Sequence, residues 1–131
     1  MRVNALAAIA FAAAMVGIPV LAQVPGTTPL LPRDSADAAA FRGGLVYANY
    51  CVTCHGMNAD GNGRAARLYT PRPANLRATD KNDAYIALIV RQGGEKLGRS
   101  PKMPPWGEEL TDEQVRDVVS YVRSINVTVK P

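Results

Sequence analysis

Hydrophobic positions fall into four blocks along the chain. The first is an almost unbroken apolar run from Ala5 to Val16, interrupted afterwards by Gly17 and Pro19. The other three carry a helical period. Phe41, Leu45, Val46 and Tyr50 give one apolar side to a first helix that begins at Asp34 or Ser35, either of which can cap it. Ala36, Ala38, Ala39 and Ala40 favour that helix, whereas Gly43 and Gly44 each cost it about 1 kcal/mol against alanine. Tyr85, Ile86, Ile89 and Val90 form the inner stripe of a second helix over Asn82 to Arg91, capped near Asp80 and ended by Gly93 and Gly94. Val115, Val118, Val119, Val122 and Ile125 form the longest stripe, in a last helix. Thr111 and Gln114 have the spacing of a capping box, and Asp112, Glu113 and Arg123 sit where the helix dipole favours their charges. Residues 56–77 and 95–109, rich in glycine and proline, read as loops. The sequence carries no strand pattern and no internal repeat, so the fold class is all-α with three main helices.

A chain of 131 residues holds one small domain. Arg2, the apolar run, and Val20-Leu21-Ala22 follow one another as in a secretory signal peptide over residues 1–22. Val3 to Leu21 is just long enough to anchor in a bilayer instead, but Pro19 and the Val-Leu-Ala ending favour cleavage, after which no membrane-spanning segment is expected. Residues 23–33, with Pro25, Pro29 and Pro32, read as an extended tether, and residues 34–131 as the folded domain. Removing the signal takes away one charge, Arg2, and lowers the net charge from +4 to +3. No run of basic residues interleaved with aromatics points to nucleic acid. Three short apolar stripes make a thin core, which a large flat cofactor between the helices would complete.

The chain has two cysteines, Cys51 and Cys54, and one histidine, His55. A disulfide across two residues closes too small a loop to constrain the unfolded chain much. Cys51-Val52-Thr53-Cys54-His55 is instead the attachment pattern for a c-type haem. Two thiols at this spacing add to vinyl groups on adjacent pyrroles of one porphyrin, and the following imidazole reaches the iron. A dithiol redox centre would need a βαβ context, and a structural zinc site would need more cysteine or histidine than the chain has. Four methionines compete for the other face of the iron. Met1 and Met15 leave with the signal, and Met57 is too close to His55 in sequence, which leaves Met103 in its proline-stiffened loop. Ligation by histidine and methionine raises the potential and leaves no open position for a substrate.

With Gly44 and Tyr47 ahead of Cys51, Pro71-Arg72-Pro73-Ala74-Asn75-Leu76 in the middle and Ser100 to Trp106 near the end, the chain resembles a class I cytochrome c of the bacterial periplasmic, mono-haem kind, from Gly44 to about Asn126. The resemblance implies a small cytochrome c fold wrapped around one covalent haem c with its iron. It implies that Gly44 packs against Tyr121 of the last helix, and it leaves Gly43 without a role. It implies that the carbonyl of Pro73, or else of Pro71, accepts a hydrogen bond from His55, and that Leu76 and Trp106 border the haem. Leu68, Ile86, Ile89 and Val90 are expected to complete an apolar shell. The function implied is one-electron transfer, as a soluble periplasmic carrier or the small cytochrome subunit of an oxidoreductase, between a donor dehydrogenase and an acceptor oxidase or reductase. The chain itself is then not an enzyme. A haem enzyme or gas-binding protein with a displaceable Met103 is the alternative. Arg64, Arg67, Arg72, Arg77, Arg99 and Lys102 lie in the loops flanking the haem, and five acids lie between Glu108 and Asp117, so an acidic docking surface on the partner is expected.

Overall fold

The computed structural model describes residues 31–128, so the expected signal peptide and most of the tether lie outside the described residues. Four α-helices follow one another: α1 (Ala36–Tyr50), α2 (Val52–His55), α3 (Asp83–Gln92) and α4 (Asp112–Ser124), with single 3₁₀ turns at Ala66–Leu68, Leu76–Ala78 and Glu95–Leu97. No strand occurs among the described residues, and no helix among them is long and apolar enough to cross a membrane.

The three longer helices α1, α3 and α4 each start on a side-chain cap that satisfies a backbone N–H the helix itself cannot. Ser35 Oγ accepts from Ala38 N–H at 3.1 Å to start α1. Asn82 Oδ1 accepts from Tyr85 N–H at 2.9 Å to start α3. The cap of α3 is therefore Asn82 and not Asp80, whose carboxylate pairs with Lys81 at 2.7 Å. Both bonds of the capping box form at α4, Gln114 N–H to Thr111 Oγ1 at 3.2 Å and Thr111 N–H to Gln114 Oε1 at 2.9 Å. The short helix α2 continues α1 past Cys51 and was not foreseen as a separate element.

The central packing is α1 against α4. Val46, Tyr47, Val90, Leu110, Val115 and Val118 bury together, with Ala59 from the loop, and Ile86, Val119 and Val122 form a second patch between α3 and α4. A β-carbon on Gly43 would stand 1.9 Å from the Asp117 carbonyl oxygen and 2.9 Å from Tyr121 Cβ, so the two helix backbones touch there and only glycine fits. Gly44, assigned this role from the resemblance, would place its β-carbon at 3.4 Å from the Tyr121 ring, an ordinary contact at the edge of the same crossing. The Tyr47 and Tyr121 rings lie 5.0 Å apart and tilted.

The face of α1 that meets the core is not the one its large side chains suggest. Ala38, Gly43, Val46 and Tyr47 are buried, whereas Phe41 and Leu45 are 67% and 55% exposed. Close backbone approach requires small residues at the crossing, so the glycines, and not the largest apolar residues, set the rotation of α1. Asp117 is buried in the same crossing, held by a two-pronged pair with Arg42 at 2.7 and 2.8 Å.

Candidate haem-attachment site

Cys51 closes α1, its N–H donating to the Tyr47 carbonyl at 2.9 Å, and α2 then carries Cys54 and His55. The helical path through Cys51 puts both thiols on one side of a single turn, since residues three apart are neighbours on a helix. Neither sulfur is in a disulfide, and both side chains are half-buried. Burial, and then the neighbouring Cys54, push the Cys51 thiol up to about 12. A redox dithiol depends on a thiol that ionises readily, and the burial of Cys51 works against that.

His55 is buried, and burial holds its imidazole below the ordinary histidine value, against the opposite pull of a backbone acceptor. That acceptor is the carbonyl of Ala74, 3.0 Å from Nδ1. A carbonyl only accepts, so Nδ1 carries the hydrogen and Nε2 keeps its lone pair for a metal. The sequence reading gave this role to Pro73 or Pro71. The Pro73 carbonyl instead lies over Gly61, 2.5 Å from where a β-carbon would stand, and the next carbonyl along turns to the ring. Leu76 N–H donates to the Ala59 carbonyl at 2.8 Å and Gly61 N–H to that of His55 at 2.9 Å, which fastens this segment beneath the histidine. Tyr47 Oη donates to the Gly56 carbonyl at 2.6 Å and ties the end of α2 to α1. Burial raises the Tyr47 pKa, so the phenol stays protonated and able to donate.

Met103 is brought back to the core by the open end of α3. Trp106 N–H donates to the Val90 carbonyl at 2.9 Å and Gly107 N–H to that of Arg91 at 3.2 Å, using acceptors that a helix end leaves free. Gly94 N–H donates to the Met103 carbonyl at 2.9 Å. Gly93 has φ +75°, and a β-carbon there would press on Pro105 N at 2.8 Å and the Met103 carbonyl at 2.9 Å. The Gly93-Gly94 pair thus does more than end the helix, because it gives the methionine loop a seat.

Cys51, Leu76, Met103 and Trp106 all pack on the same buried cluster, which also contains Val90 and Val115. Trp106 meets Tyr50 edge to face, with centroids 5.2 Å apart at 71°. This aromatic contact was not foreseen, since Tyr50 read only as part of the core stripe. Leu68, expected in the apolar shell, is 78% exposed because its 3₁₀ turn buries Ala66 instead. A haem fits this donor set by its chemistry. Two unpaired thiols on one turn, one imidazole nitrogen left open and one thioether against a common apolar cluster are what its vinyl groups, iron and ring require.

The charges expected to flank the site divide between different places. Arg64, Arg67 and Arg72 line one open cleft of about 310 Å³, and Arg77 lines another of about 380 Å³ beside Tyr121 and Ile125. Arg99 donates to Tyr85 Oη at 3.1 Å. Of the five acids from Glu108 to Asp117, Asp117 is buried against Arg42, and Asp112 and Glu113 face Arg91 at 2.6 Å and Arg33 at 3.6 Å.

Residues 38–122 match the family model described as cytochrome c oxidase, cbb3-type, subunit III. Cytochrome c-554(548) of Halomonas halodenitrificans is 31% identical over 93 residues, which are 69% of this chain and 98% of that one. The cytochrome c subunit of a quinone alcohol dehydrogenase from Gluconacetobacter polyoxogenes is 27% identical over 105 residues, and the cbb3-type oxidase subunit CcoP of Rhodobacter capsulatus 32% over 101. The matched regions are 76% and 72% of this chain but only 21% and 31% of those longer relatives. Among solved structures, a reducing HAO-like protein complex of Kuenenia stuttgartiensis aligns with TM-score 0.54 and 28% identity over 65% of this chain and 41% of that one. The match runs across the histidine turn and the methionine loop alike, and the chain belongs to the class I, mono-haem c-type cytochrome family, whose cofactor is covalently bound haem c.

Proposed function

We propose that this chain is an exported one-electron carrier in which Cys51 and Cys54 would hold the haem through thioether bonds and His55 Nε2 and Met103 Sδ would be the protein's ligands to its iron. The observation that carries the reading is the His55 ring, buried, with Nδ1 engaged by Ala74 and Nε2 left open beside two free thiols. Haem iron bound there supplies a one-electron couple. The chain's own contribution is to keep the ligands still. The carbonyl of Ala74 fixes the tautomer and the plane of the imidazole. The end of α3 holds the methionine loop by its backbone, which would keep the Met103 thioether in place for the iron. Pro73, Leu76 and Trp106 border the ring, Pro73 through the turn that presents Ala74.

With His55 and Met103 both serving as ligands, no position would be left for a substrate, so the chain would be a carrier and not an enzyme. Its relatives include subunits of a quinone alcohol dehydrogenase and of cbb3-type oxidases. That supports a place between a donor dehydrogenase and an acceptor oxidase or reductase, as a free shuttle or as a small subunit. Residues 1–22 would direct export to the periplasm.

Expression with the c-type maturation machinery tests the reading. The purified product is expected to be heavier than its polypeptide by one haem, to give a pyridine haemochrome spectrum with both vinyl groups saturated, and to show in its ferric state the far-red band of sulfur on iron. A colourless product of bare polypeptide mass overturns the whole reading. Rapid binding of carbon monoxide by the reduced protein overturns the assignment of Met103.

A further inference from the structure

Resting on that reading, we propose that Ala59 is a positioning residue for the iron, whose left-handed backbone holds the Ala74 carbonyl against His55 and so sets how strongly the imidazole donates to the metal. Among the described residues Ala59 is the one non-glycine residue with positive φ, at 55°. This conformation crowds a β-carbon against the backbone, and glycine escapes that crowding. A glycine, however, would put no methyl group into the core. Ala59 is 0% exposed and belongs to the cluster that also holds Val46, Tyr47 and Val115. The chain therefore keeps an unfavourable backbone at a wholly buried position, four residues after the histidine.

The hydrogen bonds on either side of Ala59 show what this conformation secures. Ala59 N–H donates to the Gly56 carbonyl at 3.0 Å, and the same oxygen accepts from Tyr47 Oη at 2.6 Å. Both lone pairs of one carbonyl thus tie the loop to α1. The Ala59 carbonyl in turn accepts from Leu76 N–H at 2.8 Å. Among the described residues, this is the one backbone–backbone hydrogen bond that reaches segment 73–76 from elsewhere in the chain. Leu76 lies two residues after Ala74, and the side chain of Asn75 between them is engaged with Arg77 N–H at 3.0 Å. The acceptor of the His55 ring is therefore held by a relay from α1 through Gly56, Ala59 and Leu76.

A residue at position 59 in an ordinary right-handed or extended conformation would turn its carbonyl away from Leu76, and the Ala74 carbonyl would lose its support. The consequence is electronic as well as structural. A firm hydrogen bond at Nδ1 makes the imidazole a stronger donor at Nε2, which favours the oxidised metal. A looser bond favours the reduced one. Ala59 acts on this balance through backbone bonds alone, and its buried methyl group keeps the turn from relaxing.

The test uses haem-loaded holoproteins and reads two quantities: solvent exchange of the His55 Nδ1 proton, by NMR of the reduced state, and the midpoint potential. Leu76 opens the 3₁₀ turn Leu76–Ala78, a position that suits proline, and proline has no N–H to give to Ala59. Leu76→Pro therefore removes the bond, whereas Leu76→Ala shortens the side chain and keeps it. The proposal expects the proton of Leu76→Pro to exchange about ten-fold faster than that of Leu76→Ala, as the loss of one hydrogen bond allows, and its midpoint potential to be the higher of the two. It expects Ala59→Gly, which adopts the same backbone freely, to stay close to the wild type in both quantities. Ala59→Val, whose branched side chain excludes that backbone, should follow Leu76→Pro. Val118→Ala thins the same cluster and should lower the melting temperature while leaving both quantities unchanged. Equal exchange and potential in Leu76→Pro and Leu76→Ala overturn the proposal. Equal shifts in Ala59→Gly and Ala59→Val, or a shift in Val118→Ala, overturn it too, because packing and not the backbone of Ala59 would then be at work. If Ala59→Val yields no haem-loaded protein, the two variants at position 76 decide alone. A wild type that carries no haem defeats the underlying reading instead, and is seen before any variant is measured.

Discussion

At the residue scale, the ring of His55, the proposed ligand, is set by a neighbour whose side chain matters little. Any residue at position 74 offers the same carbonyl, so Ala74 left no mark in the sequence, while the prolines beside it drew the eye. The acceptor was misread by one position because only the path of the chain over Gly61 decides which carbonyl faces the ring. Met103, by contrast, is proposed as a ligand from the methionine count, and the structure packs it on the same buried cluster as Cys51. Met103→Ala should leave the haem covalently attached but abolish the far-red ferric band, admit carbon monoxide, and lower the midpoint potential by about 100 mV or more, within the ~0.8 V that axial ligands span. Potentiometric titration and absorption spectra check this. Asp60 offers a test by pH. Its folded pKa lies below the unfolded 3.8, so its contribution is whole above that value and is lost as pH falls through the folded value. Asp60→Asn should therefore flatten the acid limb of the melting temperature below about pH 4, followed by calorimetry of the holoprotein across pH.

At the scale of elements, the crossing of α1 and α4 carries the most specific packing. Gly43→Ala forces a methyl group onto the Asp117 carbonyl and should cost about 3 kcal/mol, the upper end of overpacking penalties. Gly44→Ala meets only two ring carbons of Tyr121 at 3.4 Å, and the gain in helix propensity of about 1 kcal/mol offsets the crowding, so its effect should be small. Denaturant melts of the two holoproteins distinguish the crossing glycine from its neighbour. Arg42→Ala leaves the Asp117 carboxylate buried without its partner. Arg42 is one-third exposed, so the loss should exceed that of a surface pair and fall short of that of a fully buried one, as a denaturant melt of the holoprotein would read. The charge of Asp117 had read as part of a surface acidic cluster. Its pairing across 75 residues has no local signal.

At the scale of the molecule, the core is modest. Among the described residues the largest side chain wholly removed from solvent is Val115, and most of the remaining core consists of valine, alanine and tyrosine packed around the two helix pairs. A domain of this size with such small core residues is poorly stabilised by its own apolar contacts. The double variant Cys51→Ala/Cys54→Ala, which cannot hold haem covalently, should therefore lose much of its helical circular dichroism and unfold without a cooperative transition, whereas the haem-loaded wild type melts as a unit. The charges are laid out unevenly over the molecule. Acids near α4 are largely matched by arginines from other elements, while the loop after the attachment turn keeps its cations unmatched.

Residues that act through local order were legible in the sequence. The capping box of α4, the valine stripe, the thiol spacing and the lone histidine all depend on intervals of three or four residues, and a helix converts such intervals directly into neighbours. The site's chemistry belonged to that class, and so did the all-helical character. Contacts set by how two backbones approach each other were not legible. The choice of Gly43 over Gly44, the outward turn of Phe41 and Leu45, the carbonyl of Ala74, the burial of Asp117 and the gathering of three arginines in one cleft all depend on distances between segments far apart in the chain. Sequence spacing fixes a residue's place on its own helix, but the position of that helix against another comes from which surfaces can close without a clash, and that is decided only when the whole chain has packed.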